Sequence, residues 1–226
     1  MSGLPPIGYF FAEALVASDW LRGRAAAPGI AARFPGDGRR VVVIPGLFAS
    51  DAETSLLRQT LQRAGYRASG WGLGRNMPIT AEILHRFDAH VRAVQGGDAT
   101  PVALVGWSLG GIIAREYAKF APNRVERVLT LGSPFSGDIR ENRAWRAYEL
   151  FAPYRIDRIP ISIDRPAKPP VRTIAIWSAR DGIIPVHAAR GQPGERDEEI
   201  EIRCGHMAMT VAPDALEAVL KGLRVG

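Results

Sequence analysis

VALVGWSLGGIIAREYAKF, residues 102–120, places one serine between glycines where an apolar run gives way to a helical pattern. The apolar run predicts a buried strand, and the apolar positions after Ser108 recur at helical spacing. A sharp turn from strand to helix brings the two backbones close together, which favours glycine at positions 106 and 110. Because short motifs also arise by chance, the rest of the chain has to decide what this serine does.

The length and composition of the chain predict one globular domain over residues 1–226. Of its 226 residues, 46% are hydrophobic and 23% are charged, which lies within the ordinary globular range. The net charge is +6, but the arginines that carry it are scattered, which argues against binding to nucleic acid. A single cysteine, Cys204, excludes an intramolecular disulfide and a cysteine zinc site, and it fits a cytoplasmic location.

The N-terminal segment predicts a helix over about residues 7–22. Its apolar residues fall at helical spacing, and Glu13 interrupts an apolar run that is too short to cross a membrane. The segment also lacks the basic start of a signal peptide. We therefore expect the helix to pack on the domain, followed by a loop over residues 23–40. Weak contact with a membrane surface stays open.

Strands and helices alternate along the rest of the chain. Apolar runs predict strands at VVVIPG, YRASG, PVALVG, VERVLTLG, VRTIAIWSA and EEIEIRC. This alternation predicts an α/β fold with a mainly parallel sheet and helices on both faces. Residues 135–170 break the rhythm with one helix near 141–151 and several prolines, and we interpret them as a small helical cap.

Two polar residues that follow later strands complete a catalytic pattern with Ser108. The carboxyl ends of parallel strands meet at one edge of the sheet, where ligands bind. A serine nucleophile needs a base, and the base needs an acid that orients it. Asp181 and His206 follow the last two strands, so the chain order is serine, acid, histidine. Other aspartates that stay open as the acid are Asp138, Asp157, Asp164 and Asp197.

The remaining histidines fit the role of the base less well. His85 and His90 lie on a helix before the serine, where we expect them on the surface, and His187 lies at a helix start. The glycines at 70, 72 and 74 lack the length and the lysine of a phosphate-binding loop. The sequence therefore predicts no metal and no cofactor.

From residue 40 onward, the chain resembles bacterial α/β-hydrolases of the esterase/lipase type. VVVIPGLFASD resembles the oxyanion loop, GWSLGG the nucleophile elbow, DGIIP the acid loop and GHMAM the histidine loop. GWGLGRN and LGSPFSGD resemble stretches of a compact bacterial subgroup. Two positions depart from the family pattern: Pro45 stands where many relatives have histidine, and Ala208 where the subgroup often has glycine.

The resemblance implies a serine hydrolase that cleaves carboxylic esters through an acyl-enzyme. Ser108 would attack the acyl carbonyl, His206 would take the proton, and Asp181 would orient the imidazole. The backbone N–H groups of Leu109 and of Leu47 or Phe48 would bind the oxyanion, and we favour Leu47 over Phe48. An acyltransferase or perhydrolase with the same triad stays an alternative, as does a binding protein without chemistry.

We expect the substrate to be a small, uncharged ester with a modest apolar acyl group. The residues predicted to contact it are Phe48, Trp71, Asn76, Phe135 and Met207. For Trp71, Arg75 and Asn76, a structural role in their glycine-rich loop is an equal alternative. For Trp107, packing in the core is favoured over contact with the acyl group.

Overall fold

Six strands form one parallel sheet in the computed structural model of the chain, which describes residues 4–6, 8–9, 13, 16–80, 82–152 and 164–224. The strands are β1 Arg40–Ile44, β2 Arg67–Gly70, β3 Val102–Trp107, β4 Val125–Leu131, β5 Arg172–Ser178 and β6 Glu198–Ile202. Their order in the sheet is β2-β1-β3-β4-β5-β6, and every neighbouring pair is parallel. The predicted α/β fold with a mainly parallel sheet is confirmed.

Helices cover both faces of this sheet. Within the described ranges they are α1 Val16–Arg33, α2 Ser55–Ala64, α3 Ile83–Gln95, α4 Leu109–Phe120, α5 Trp145–Phe151, α6 Val186–Arg190 and α7 Pro213–Arg224. Helices α1, α2 and α7 contact one another on one face, and α3 contacts α4 on the other. Successive side chains of a strand point to opposite faces, so Val41 and Val42 of β1 belong to different core clusters.

Helix α1 corrects the prediction for the N-terminal segment. The sequence predicts a helix over about 7–22 and a loop over 23–40, whereas α1 continues to Arg33. The loop prediction gives too much weight to Pro28. Proline has no N–H for a helical hydrogen bond, but packing of the buried Ile30 against the core compensates for that loss. In the described part of the chain, no helix is long and apolar enough to cross a membrane. Part of the predicted helix lies outside the described residues, namely positions 7, 10–12, 14 and 15.

The segment predicted as a cap contains one helix, α5, and a 3₁₀ turn over Ile139–Glu141. The side-chain oxygen of Asn142 accepts the N–H groups of Ala144 and Trp145, both at 2.9 Å, just where α5 begins. The helix therefore starts later than the predicted position 141. Residues 153–163 of the segment lie outside the described residues, and its interpretation as a cap stays a prediction.

Strand β3 and helix α4 meet where the backbone leaves no room for side chains. A Cβ atom on Gly106 would lie 2.4 Å from the backbone of Gly110. A Cβ atom on Gly110 would lie 2.3 Å from the carbonyl oxygen of Ile44. Both approaches are shorter than van der Waals contact with rigid backbone, so both positions require glycine.

We expect Gly110→Ala to lower the free energy of unfolding by about 1–3 kcal/mol, because the new methyl group overpacks the junction. Alanine in a helix is otherwise more favourable than glycine, so the sign of the change reports the clash. Urea unfolding followed by circular dichroism measures it. The control is Gly97→Ala, where no atom lies within 4 Å of the new Cβ. A Gly110→Ala protein as stable as the wild type would contradict the strand–helix contact.

Candidate active site

Ser108 lies in a strained turn between β3 and α4. Its backbone has φ 53° and ψ −119°, and only one other non-glycine residue of the described ranges, Phe48, has a positive φ. The N–H of Ser108 donates to the carbonyl oxygen of Leu131 at 2.8 Å, which ties the turn to β4. Strained backbone of this kind persists where the surroundings enforce it, often at functional sites.

Asp181 and His206 form a buried pair on two neighbouring loops, after β5 and β6. The Nδ1 atom of His206 lies 2.8 Å from Oδ2 of Asp181, and each residue is only 3% exposed. The other carboxylate oxygen, Oδ1, accepts the N–H groups of Ile183 at 2.8 Å and Ile184 at 2.7 Å. The carboxylate is therefore fixed by the loop that carries it and points one oxygen at the imidazole.

The environment of His206 favours its charged form. Burial by itself lowers the pKa of the imidazole, but the charge and hydrogen bond of Asp181, with the charge of Glu13, raise it above its ordinary value. Because Nδ1 faces a carboxylate, the neutral ring carries its proton on Nδ1 and leaves Nε2 as an acceptor. Trp107 also holds the residue, since its indole Nε1 donates to the His206 carbonyl at 3.1 Å.

The loop after β1 lies beside the serine and is braced from the loop after β2. The N–H of Phe48 donates to the carbonyl of Asn76 at 2.7 Å, and the Asn76 side chain donates to the carbonyl of Pro45 at 2.7 Å. Arg75 donates to the carbonyl of Phe48. The N–H of Phe48 is therefore engaged within the protein, which corrects its place among the oxyanion donors and favours Leu47.

Two spaces have Ser108 in their walls. An open cleft of about 530 Å³ contains Ser108 and His206 in its wall, together with Phe48, Trp107 and Met207. An apolar compartment of about 50 Å³ also contains Ser108 in its wall, together with Leu47, Leu109, Ile79, Ile112, Tyr148 and Ile184. We call these spaces the cleft and the compartment.

Family and structure comparisons agree with this architecture. The model of the family described as alpha/beta hydrolase fold matches residues 39–163, more than half of the chain. This chain belongs to the alpha/beta hydrolase fold family. Among proteins of curated function, no match is found.

Several solved structures share the fold at low sequence identity. One of the metagenome-derived lipolytic enzymes LipS and LipT is 18% identical with a TM-score of 0.60, over 84% of this chain and 95% of that one. A monoacylglycerol lipase from Paleococcus ferrophilus is 16% identical with a TM-score of 0.58, over 84% and 96%. A probable hydrolytic enzyme from Pseudomonas aeruginosa is 15% identical with a TM-score of 0.61, over 84% and 87%.

Three of the five residues predicted to contact substrate lie away from both spaces of this α/β-hydrolase. Trp71 is 1% exposed and its indole N–H donates to the Gly74 carbonyl at 2.7 Å. Asn76 is fully buried in the brace just described. Phe135 is also fully buried, with the Arg115 guanidinium 4.1 Å from its ring centroid. None of these three residues is in the wall of the cleft or of the compartment, so their contact with substrate stays a prediction without support from the structure, whereas Phe48 and Met207 line the cleft.

The other candidate acids have partners elsewhere in the fold. Asp197 pairs with Lys168 and accepts the N–H of Thr173 at 2.8 Å. Asp138 accepts the N–H of Arg140, and Asp164 that of Ala167. Asp157 lies outside the described residues.

Two of the remaining histidines are also engaged within the protein. His90 bonds to the Gly70 carbonyl at 2.9 Å and is partly buried, which corrects its expected surface position. His187 bonds to Glu141 at 2.6 Å. His85 is exposed, as expected. Over the described residues, no group of three or more metal-ligating side chains of the His, Cys, Asp and Glu types is present.

Charged side chains near the site were missed by the sequence analysis. Glu53 and Arg143 line the cleft, and Arg165 lines the compartment. All three have partners within the protein: Glu53 accepts from Ser50, Arg143 donates to the Pro5 carbonyl, and Arg165 donates to the Pro134 carbonyl at 2.9 Å. Glu13, which accepts backbone N–H groups of the acid and histidine loops, was also missed. Its only sequence signal is a lone carboxylate in an apolar run.

We expect Asp181→Asn to lower the pKa of His206, because the charge that favours the imidazolium is removed while the burial that disfavours it stays. Titration of the imidazole by ¹H–¹⁵N NMR measures this change. Asp197→Asn removes the same charge from a loop that does not contact His206, so it should leave the pKa of His206 unchanged. An unchanged midpoint in Asp181→Asn would show that the buried pair does not form in solution.

Proposed function

We propose that the protein is a serine hydrolase that cleaves carboxylic esters, with Ser108, His206 and Asp181 as its catalytic triad. The observation that carries the proposal is the buried Asp181–His206 hydrogen bond in an α/β-hydrolase whose cleft wall also contains the strained Ser108. The names of two structural relatives, a lipolytic enzyme and a monoacylglycerol lipase, support the same chemistry.

In the acylation step, the Ser108 oxygen attacks the ester carbonyl while Nε2 of His206 takes the hydroxyl proton. The carbonyl electron pair moves onto oxygen, and the N–H groups of Leu109 and Leu47 stabilise this oxyanion. Asp181 stabilises the imidazolium without taking its proton. Collapse of the tetrahedral intermediate breaks the ester bond, and His206 gives its proton to the leaving alcohol.

Deacylation repeats these steps with water as the nucleophile. His206 takes a proton from water, whose oxygen attacks the acyl-enzyme carbonyl, and the proton returns to the Ser108 oxygen as the acid departs. The open cleft gives water access to the acyl group. A small alcohol can enter the same cleft in place of water, so acyl transfer is the second candidate function. Product analysis in the presence of a competing alcohol separates hydrolysis from acyl transfer.

The compartment supports a preference for uncharged esters with short to medium acyl groups. Its wall beside Ser108 consists mainly of aliphatic and aromatic side chains, and its volume is only about 50 Å³. Its one charged residue, Arg165, is committed to the carbonyl oxygens of Pro134 and Gly137. An apolar acyl chain therefore gains burial there.

We expect a fluorophosphonate probe to label the wild-type protein on Ser108, since an activated serine attacks the phosphorus as it attacks an ester carbonyl. Ser108→Ala should abolish the label and ester hydrolysis together. Ser136→Ala is the matched control, because Ser136 is also a buried serine beyond a neighbouring strand end. Intact-mass spectrometry and peptide mapping locate the adduct. A folded wild-type protein that stays unlabelled would remove the basis for the proposal.

We expect kcat/KM for p-nitrophenyl esters to rise with acyl length, by at most about fourfold per methylene, until the compartment is full. Ile79→Val removes one methylene from the compartment wall and should move the optimum to longer acyl chains. Ile83→Val makes the same change in the neighbouring core and should leave the optimum where it is. A wild-type optimum at palmitate would contradict the short-acyl preference.

A further inference from the structure

One carboxylate from the N-terminal segment reaches the loops that carry the proposed acid and base. Oε1 of Glu13 accepts the N–H of Gly182 at 2.9 Å and the N–H of His206 at 2.8 Å. Oε2 of Glu13 accepts the N–H of Met207 at 2.8 Å. One side chain thus accepts hydrogen bonds from three backbone N–H groups on two loops. The histidine loop lies nearly 200 positions further along the chain than Glu13.

The histidine loop is shaped to admit this carboxylate. A Cβ atom on Gly205 would lie 2.8 Å from Oε2 of Glu13 and 3.1 Å from its carboxyl carbon. The φ of Gly205 is −71°, an ordinary value, so the backbone conformation itself does not call for glycine. The Glu13 carboxylate therefore occupies the space that a side chain at position 205 would enter.

We propose that Glu13 is a positioning residue that locks the histidine loop against the acid loop, so that His206 keeps its bond to Asp181. This proposal rests on the triad proposed above. Gly182 follows Asp181 directly, so Oε1 of Glu13 joins the residue after the acid to the base itself. Without this acceptor, the loops after β5 and β6 lose one of the side chains that bridge them, and the Asp181–His206 bond has to hold the imidazole in place alone.

The charge of Glu13 also favours the charged form of His206. Burial lowers the pKa of His206, and the negative charges of Asp181 and Glu13 raise it. His206 lies in the wall of the cleft, and the charged groups in that wall are Glu53 and Arg143. Removal of the Glu13 charge should therefore lower the pKa of His206. This shift reports that the Glu13 carboxylate lies beside His206 in solution.

The test compares Glu13→Ala, Glu13→Gln and the control Asp19→Asn on the full chain. Asp19 also lies near the N-terminus, but its carboxylate pairs with Arg22 and is not among the charges that raise the pKa of His206. With a p-nitrophenyl ester, we expect Glu13→Ala to lower kcat by about 10- to 100-fold with little change in KM, as for misplacement of a catalytic group. Glu13→Gln keeps one oxygen acceptor and should lose less. Asp19→Asn should match the wild type.

The pH profile separates positioning from simple stabilisation. His206 must be unprotonated to act as the base, so the acid limb of kcat/KM follows its pKa. Glu13→Gln should move this limb to lower pH, because the loss of negative charge disfavours the imidazolium. Asp19→Asn should leave the limb in place, and thermal unfolding should show each variant folded at the assay temperature.

A double-mutant cycle with Gly205→Ala tests whether the effect passes through this contact. The added methyl group displaces the Glu13 carboxylate, so Gly205→Ala alone should reproduce much of the loss of kcat. In the Glu13→Ala background it should add little, since the carboxylate is already absent. Fully additive losses would mean that Gly205 acts independently of Glu13 and would overturn the proposal.

The failure of this proposal is distinguishable from the failure of the triad. A folded wild-type protein that neither hydrolyses esters nor reacts with the fluorophosphonate rejects the proposed function and this role with it. An active wild type, with Glu13→Ala equal to it in kcat and pH profile, rejects the role of Glu13 alone. If Glu13→Ala does not fold, Glu13→Gln decides: an unmoved acid limb and an unmoved His206 NMR titration overturn the proposal.

Discussion

The contact between Gly110 and the carbonyl oxygen of Ile44 fixes where helix α4 leaves strand β3, and the candidate site is arranged around that crossing. No side chain at Gly110 separates the backbone of α4 from that of β1. The turn from β3 into α4 is therefore tight, and Ser108 adopts a positive φ in it. The same closeness brings the loop after β1, which carries Leu47, to the start of α4. One steric constraint thus sets both the strained backbone at Ser108 and the position of the proposed oxyanion donors.

The buried pair of Asp181 and His206 imposes a second constraint. Removing two ionisable groups from water is costly unless their geometry is good and their remaining polar atoms find partners. Here Oδ1 of Asp181 takes two backbone N–H groups while Oδ2 takes the imidazole, and Trp107 donates to the histidine carbonyl. Since most of these partners are backbone groups, the pair is only as well placed as the loops that hold it.

The sheet and the elbow could be predicted from the sequence because their signals are local. Apolar runs mark the strands, and glycine spacing marks the turn at Ser108. The position of Asp181 just after a strand end favours it over Asp197, which precedes the last strand. For a related reason, the predicted contacts of Trp71 and Phe135 with substrate find no support in the structure. A position just beyond a strand end identifies the edge of the sheet, but side-chain direction depends on tertiary packing, and both rings turn into the core.

Bracing between distant segments is the part that sequence patterns do not show. Asn76 holds the loop after β1, and Glu13 holds the loops after β5 and β6, in each case by bonding to backbone groups. Every residue except proline offers the same backbone N–H, so the braced loop carries no sequence mark of its partner. The bracing residue shows only as a polar side chain in unexpected surroundings, as with Glu13 in its apolar run. Two chains with the same elbow, acid and histidine motifs can therefore differ in how firmly the base is held, through residues far outside those motifs.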